Sequence, residues 1–180
     1  MVIPAFAAEK EPEVAVETSK RTRFAVELLR KRCLTYFSDR TGLVKLLDSH
    51  YERPPESETR GMLDFLHADS GDVWSAVMSP TVSYTIVSET GGNCHVITEQ
   101  SDSALLHKHV KNLAADVRDS RSFNVVDYKG VPENVGPVKT SEFVVKAPDG
   151  GIILTVRATT KDDSKTELAE GVLSVFKPVK

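Results

Sequence analysis

The first strong pattern along the chain is an apolar stripe with helical spacing. Four apolar side chains recur every four residues, at Ala25, Leu29, Cys33 and Phe37. Basic residues occupy most of the remaining positions, as is typical of a helix with one buried side. The pattern predicts a helix from Lys20 to Phe37 with Ser19 as its N-cap, and it places Cys33 on the side that faces the core.

Two short helical segments follow, and the period then changes from helical to alternating. The predicted short helices surround the apolar residues at 43–47 and cover residues 57–67. Alternation predicts three strands with short turns between them, at 73–78, 82–86 and 93–98. An amphipathic helix is predicted over residues 103–118, capped by Asp102. Four further strands are predicted at 123–128, 142–146, 151–160 and 172–177.

This order of elements defines the expected fold class. Consecutive strands joined by short turns favour an antiparallel sheet, and the helices need an apolar surface to cover. The sequence therefore predicts an α+β fold: an antiparallel sheet of about six to seven strands with the N-terminal helix and the central amphipathic helix packed on it. Residues 1–18 are interpreted as a signal-peptide remnant and disordered leader, and residues 19–180 as a single α+β domain.

The N-terminus indicates export. Ala5, Phe6 and Ala7 form the small-x-small pattern that signal peptidase accepts, and a charged segment follows at Glu9. The alternative is an apolar tail in which this pattern arises by chance. Export predicts a periplasmic or secreted protein, without distinguishing the two.

Composition and charge exclude several classes of protein. The net charge is −3, whereas nucleic-acid-binding proteins usually carry a basic excess, so no nucleic-acid partner is expected. The apolar runs are all shorter than the roughly 18 residues that span a bilayer, so a membrane-spanning chain is not expected. The chain has no nucleotide-binding, zinc-protease or EF-hand motif, and neither a cofactor nor a metal is predicted.

The two cysteines, Cys33 and Cys94, are far apart in sequence and lack metal-ligand spacing. In an exported protein they are expected to form a disulfide bond. One alternative is two buried free thiols in a cytosolic protein. Another is a thiol hydrolase that uses Cys94 as its nucleophile, because His95 is adjacent. Neighbouring strand residues point to opposite faces, however, so His95 could not deprotonate Cys94, and the base would have to come from elsewhere in the sequence.

Binding surfaces are predicted only in outline. Trp74, Tyr84, Tyr36 and His95 are candidates for a ligand pocket or surface, with burial in the core as the alternative for the aromatic residues. Basic residues of the first helix could meet an anionic lipid headgroup or polymer, or could simply be its solvated side. These are Arg21, Arg23, Arg30, Lys31 and Arg32. The loop at 129–137, rich in Pro and Gly, is a candidate recognition loop.

A helix cysteine, a strand with Trp74 and the sequence Gly92-Asn93-Cys94-His95-Val96 resemble small uncharacterised periplasmic proteins of proteobacteria. The resemblance covers about residues 20–130 and implies a location and a disulfide, but no activity. The hypothesis that results is a non-enzymatic envelope module that binds a protein or small ligand, of unknown oligomeric state. The alternatives are the thiol hydrolase and a periplasmic carrier of lipid or polymer.

Overall fold

Four helices and seven strands make up the part of the chain that a computed structural model describes: residues 13–121, 124–128, 138–147, 149–162 and 169–178. The helices are α1 (Glu13–Leu28, continued by a π-helical segment, Leu29–Leu34), α2 (Arg40–His50), α3 (Glu56–Phe65) and α4 (Ser103–Arg121). The strands are β1 (Gly71–Ser79), β2 (Val82–Glu89), β3 (Cys94–Ser101), β4 (Asn124–Tyr128), β5 (Val138–Lys146), β6 (Ile152–Asp162) and β7 (Ala169–Phe176).

The strands form one sheet in the order β1-β2-β3-β7-β6-β5-β4, and all neighbouring strands are antiparallel. Two meanders, one on each side of α4 in the chain, meet where β3 pairs with β7. The predicted α+β class with an antiparallel sheet is therefore confirmed. The long connection through α4 separates β3 from β4 in the chain and leaves the edge of β3 for β7 to pair with.

The first helix differs from the prediction at both ends. It already includes Glu13–Ser19, so the predicted start at Lys20 with Ser19 as N-cap is wrong, and residues 13–18 of the predicted leader are helical. Thr18 is buried, which explains why this turn is helical rather than a free tail. Regular helix ends at the π-helical segment, well before Phe37. The predicted cleavage pattern at Ala5-Phe6-Ala7 and the predicted loop at 129–137 lie outside the described residues.

The π-helical segment explains why apolar residues spaced four apart, such as Leu29 and Cys33, can lie on the same side of the helix. In an ideal α-helix each four-residue step moves a side chain about 40° around the axis. The wider turn, marked by the bond from Thr35 N to Arg30 O at 3.2 Å, reverses part of this drift. Leu29 and Cys33 consequently both point into the core, with 0% and 1% exposure.

Helices α1 and α4 contact each other and cover one face of the sheet, α1 on β3 and α4 on β6. The strands present alternate side chains to them, including Trp74, Tyr84 and Val96, and these form the main core with Leu29 and Leu106. Burial of this apolar face is the main source of stability. The other face of the sheet carries Val73 of β1 and Val87 of β2, which are paired. It also carries the polar residues described below.

A disulfide bond joins the helical layer to the sheet. Cys33 lies in the π-helical segment and Cys94 begins β3, with 5.4 Å between their Cα atoms and 61 residues between them in sequence. The predicted disulfide is thus present in the structure. Among the described residues, no helix combines the length and the apolar character needed to cross a bilayer.

Candidate functional site

A row of polar side chains crosses the sheet on the face opposite α1 and α4. Its members are Glu89, His95, Ser174, Arg157 and Glu142, and we call them the polar stripe. His95 is paired with Ser174, Ser174 with Arg157, and Arg157 with Glu142 on successive strands. The alternating apolar residues of the same strands face the helices, and this fixed register places the intervening polar residues on the opposite face.

His95 forms the buried end of the stripe. Its Nδ1 lies 2.8 Å from Ser174 Oγ and its Nε2 lies 2.6 Å from Glu89 Oε1. A carboxylate only accepts hydrogen bonds, so in the neutral imidazole Nε2 carries the proton and Nδ1 accepts from the Ser174 hydroxyl. Asn93 Nδ2 in turn donates to the second Glu89 oxygen at 2.8 Å. His95 and Ser174 are each 3% exposed.

Arg157 forms the exposed end. Its Nε donates to Glu142 Oε2 at 2.7 Å, with a second contact from Nη2, and 41% of its side chain is exposed. The guanidinium also stacks on Phe176, 4.7 Å from the ring centroid. Phe176 packs edge-on against His95, with 5.6 Å between the ring centroids. Arg157 is therefore held in place by an ion pair and an aromatic ring.

Burial favours the neutral form of His95. Burial lowers the pKa of the His95 imidazole below its ordinary value, and the charge of Arg157 acts in the same direction. The hydrogen bond and the charge of Glu89 oppose this shift but do not cancel it. A neutral His95 is consistent with its position between one acceptor and one donor.

A serine, a histidine and a carboxylate in hydrogen-bond contact invite a comparison with hydrolase triads. Such a triad needs a serine oxygen that a substrate carbonyl can reach. Ser174 is buried between its neighbouring strands, so its hydroxyl does not offer that access. We interpret Ser174, His95 and Glu89 as a hydrogen-bond relay that holds β2, β3 and β7 in register.

The four candidate residues for a ligand surface are not brought together. Trp74 and Tyr84 are 0% and 1% exposed on the face toward the helices. The Trp74 indole donates to Asp48 at 2.9 Å and the Tyr84 hydroxyl donates to Arg21 O at 3.0 Å, while burial raises the pKa of Tyr84 to about 12. Tyr36 is partly buried against the same core. Only His95 lies on the opposite face, in the polar stripe.

Cys94 is bonded to Cys33 and therefore has no thiolate to act as a nucleophile. The thiol-hydrolase alternative gains no support from this arrangement. Trp74 and Tyr84 fill the space between helices and sheet with side chains, so they give no support to the carrier alternative either. Within the described ranges, no group of three or more His, Cys, Asp or Glu residues is arranged to hold a metal ion.

Sequence reasoning missed Glu89, Ser174, Arg157 and Glu142 as members of a site. Each occupies an alternating position in a strand, which marks it only as facing away from the core. Their proximity depends on the pairing of β3 with β7 and of β7 with β6. Nothing local to these segments specifies that strand order.

A cleft of about 280 Å³ lies between α3 and the start of β1. Leu63 and Gly71 form part of its wall, together with the charged residues Glu56, Arg60, Asp64 and Asp69. Its lining mixes both signs of charge and includes none of the predicted site residues. The polar stripe is the more organised candidate, because its members are held by one another.

The fold and the stripe define an α+β protein in which a disulfide-linked helical layer covers one sheet face and a preorganised polar row crosses the other. Protein-family models, curated proteins and solved structures were compared with the chain, and none matches it. The resemblance to periplasmic proteins accordingly stays a prediction, and the case for function depends on the geometry of this chain alone.

Proposed function

We propose that this chain is a non-enzymatic protein-binding module of the cell envelope and that it recognises its partner with the sheet face around Arg157. The observation that carries this proposal is the exposed guanidinium of Arg157, stacked on Phe176 and paired with Glu142. Arginine and aromatic residues are enriched at protein interfaces and dominate their binding energy. A side chain that is already held in place loses less entropy when a partner binds.

The surroundings of Arg157 suit a protein partner better than a small ligand. Ile97 and Val172 oppose each other on β3 and β7 and are half-buried on the same face. Thr159 lies beside Val172 on β6 and is also half-buried. A sheet face with apolar residues next to an arginine resembles the centre of a protein interface, and neither of two clefts in the described part of the chain, which are lined by other residues, includes these side chains.

The envelope location rests on two supports. The Cys33–Cys94 disulfide is typical of proteins in oxidising compartments. The Ala5-Phe6-Ala7 pattern is compatible with signal-peptide cleavage. Fractionation of producing cells, with thiols alkylated at lysis, tests this part. Oxidised protein in the envelope or medium is expected, and reduced protein confined to the cytosol would overturn the location.

Affinity capture with matched variants tests the binding surface. Arg157→Ala removes the exposed guanidinium, and Thr159→Arg places a long charged side chain on the same face. Lys45→Ala, an exposed position on α2, is the control. Quantitative mass spectrometry should find a partner that wild type and the control retain equally and that both sheet-face variants lose. If no captured protein shows this pattern while all variants unfold at similar temperatures, the proposed surface is wrong.

A further inference from the structure

The solvent side of α1 and α4 carries a concentration of positive charge that the net charge of the chain conceals. The basic members are Lys20, Arg23, Arg30 and Lys31 of the first helical element and Lys108 and Lys111 of α4, and all six are exposed. Glu27 and Asp116 are the acidic members. We call this surface the basic helix face. Its charge is positive although the whole chain carries −3, so the remaining surface is correspondingly acidic.

Helical geometry brings these residues onto one side. With 100° per residue, Lys20, Arg23 and Glu27 lie within about 60° of arc and span about 10 Å of α1, and Arg30 follows in the π-helical segment. Lys108 and Lys111 lie on the side of α4 away from the buried Leu106 and Val110. The two helices are in contact, so their charged sides form one continuous surface.

Positive charges of α1 lie close to α4 where the two helices meet. Arg23 of α1 and Lys108 of α4 both lie close enough to His109 to lower its pKa, after the larger effect of burial. Glu27 pairs with Arg30 at 2.8 Å and with Lys31 at 3.2 Å, which neutralises part of the charge. Among the described residues, no ion pair involves Lys20, Lys108 or Lys111. The basic charge of the face is thus divided between the two helices.

The structure also corrects which residues of α1 belong to this surface. Arg21 pairs with Glu17, contacts Gln100 and has an 18% exposed side chain. Arg32 packs over Tyr51, with its guanidinium 5.7 Å from the ring centroid, and its Nε is buried. Both arginines were part of the basic group predicted from sequence. The basic helix face instead includes Lys108 and Lys111 of α4. Their proximity to α1 could not be predicted, because it depends on the packing of α4 beside α1.

We infer that the basic helix face adsorbs to the surface of an anionic phospholipid bilayer. Exposed large apolar residues in the described chain are Phe65, Val77, Met78 and Ile152, and none of them lies on this face. A protein interface normally has an apolar or aromatic centre, which this face lacks. A bilayer requires only a broad, flat and positive surface, because headgroups move laterally to meet the charges. Each basic residue near such a surface contributes about 1 kcal/mol.

Vesicle flotation with the full chain tests this inference. The probes are vesicles with about 30 mol% phosphatidylglycerol in phosphatidylcholine and vesicles of phosphatidylcholine alone, at about 50 mM and about 500 mM NaCl. Binding only to the anionic vesicles, and only at the lower salt concentration, is expected. Binding that is absent from both vesicle types at low salt, or equal for the two, would overturn the inference.

Charge variants locate the surface. Lys108→Gln with Lys111→Gln should weaken binding at least tenfold, since two contributions of about 1 kcal/mol are removed. The control, Lys45→Gln with Arg60→Gln, removes the same charge from α2 and α3 and should bind like wild type. Equal weakening by both pairs would show that overall charge, not this face, governs binding.

Discussion

Ser174 lies directly opposite His95 on the neighbouring strand, and their side chains are joined by a 2.8 Å hydrogen bond across 79 residues of sequence. This contact bridges β3 and β7, the two strands at which the meanders meet. The relay therefore links the two halves of the sheet on the face opposite α1 and α4.

Ser174→Ala should destabilise the protein by about 1–3 kcal/mol, because it leaves the buried Nδ1 of His95 without a donor. Urea unfolding followed by circular dichroism measures the change. Ser83→Ala, at an exposed position of β2, is the matched control and should alter stability by less than about 0.5 kcal/mol. Equal effects of the two substitutions would argue against a structural role for the relay.

Acidification should destabilise the protein through His95. Burial holds the pKa of folded His95 below its ordinary value of 6.5, so the unfolded chain binds more protons between these two values. The stability that neutral His95 contributes is present above about pH 6.5 and is lost as the pH falls toward the folded pKa. Unfolding free energy measured against pH should show this decline.

The variant His95→Gln should flatten that decline, because glutamine offers a donor and an acceptor but does not titrate in this range. Burial also lowers the pKa of His109, which contributes a decline in the same direction. His109→Gln is therefore measured separately. A pH profile that His95→Gln leaves unchanged would assign the sensitivity to other groups.

Reduction of the Cys33–Cys94 bond should lower the unfolding free energy by about 2–4 kcal/mol, since it releases a long loop in the unfolded chain. Unfolding with and without reductant measures this. The double variant Cys33→Ala, Cys94→Ala should be less stable than wild type and insensitive to reductant. Thiol counting on unreduced, denatured protein should find no free thiol, and two free thiols would contradict the bond.

Gly92→Ala should destabilise the β2–β3 turn by about 1–3 kcal/mol. Gly92 has φ +93°, and a Cβ there would lie 2.6 Å from Lys177 Nζ. Its neighbour Gly91 has no such φ and open space around its Cα, so Gly91→Ala is the matched control. Thermal unfolding should give a clearly lower melting temperature for Gly92→Ala than for Gly91→Ala. Similar melting temperatures would count against backbone strain at position 92.

Much of the fold could be predicted because its determinants are local. Alternation at Val82, Tyr84 and Ile86 predicts a strand, and the spacing of Leu106, Val110 and Leu113 predicts α4. The start of α1 could not be predicted, because Thr18 becomes buried only once α1 is packed on the sheet. Local propensity favoured Ser19 as a cap, and tertiary packing overrode that preference.

Most residues of the candidate site could not be predicted from the sequence, for a related reason. His95 was a candidate residue for a ligand pocket or surface, but its partners Glu89 and Ser174 come from different strands. Their contact requires β7 to insert beside β3, and an antiparallel prediction leaves that order open. Arg157 stacks on Phe176 only because β6 and β7 pair in a particular register. No sequence motif marks this contact.

The position of β7 has a consequence for how the chain acquires its structure during synthesis. Among the seven described strands β7 is made after the other six, yet it occupies the middle of the sheet between β3 and β6. The first three strands and both cysteines are available much earlier, so helix and early meander can be linked while the centre of the sheet is still missing. Completion of the sheet then depends on the pairing of β3 with β7, for example of Cys94 with Val175. These residues are distant in sequence, so their pairing is expected to be slow. Until β7 has been made, the β3 edge stays open to pairing with other chains.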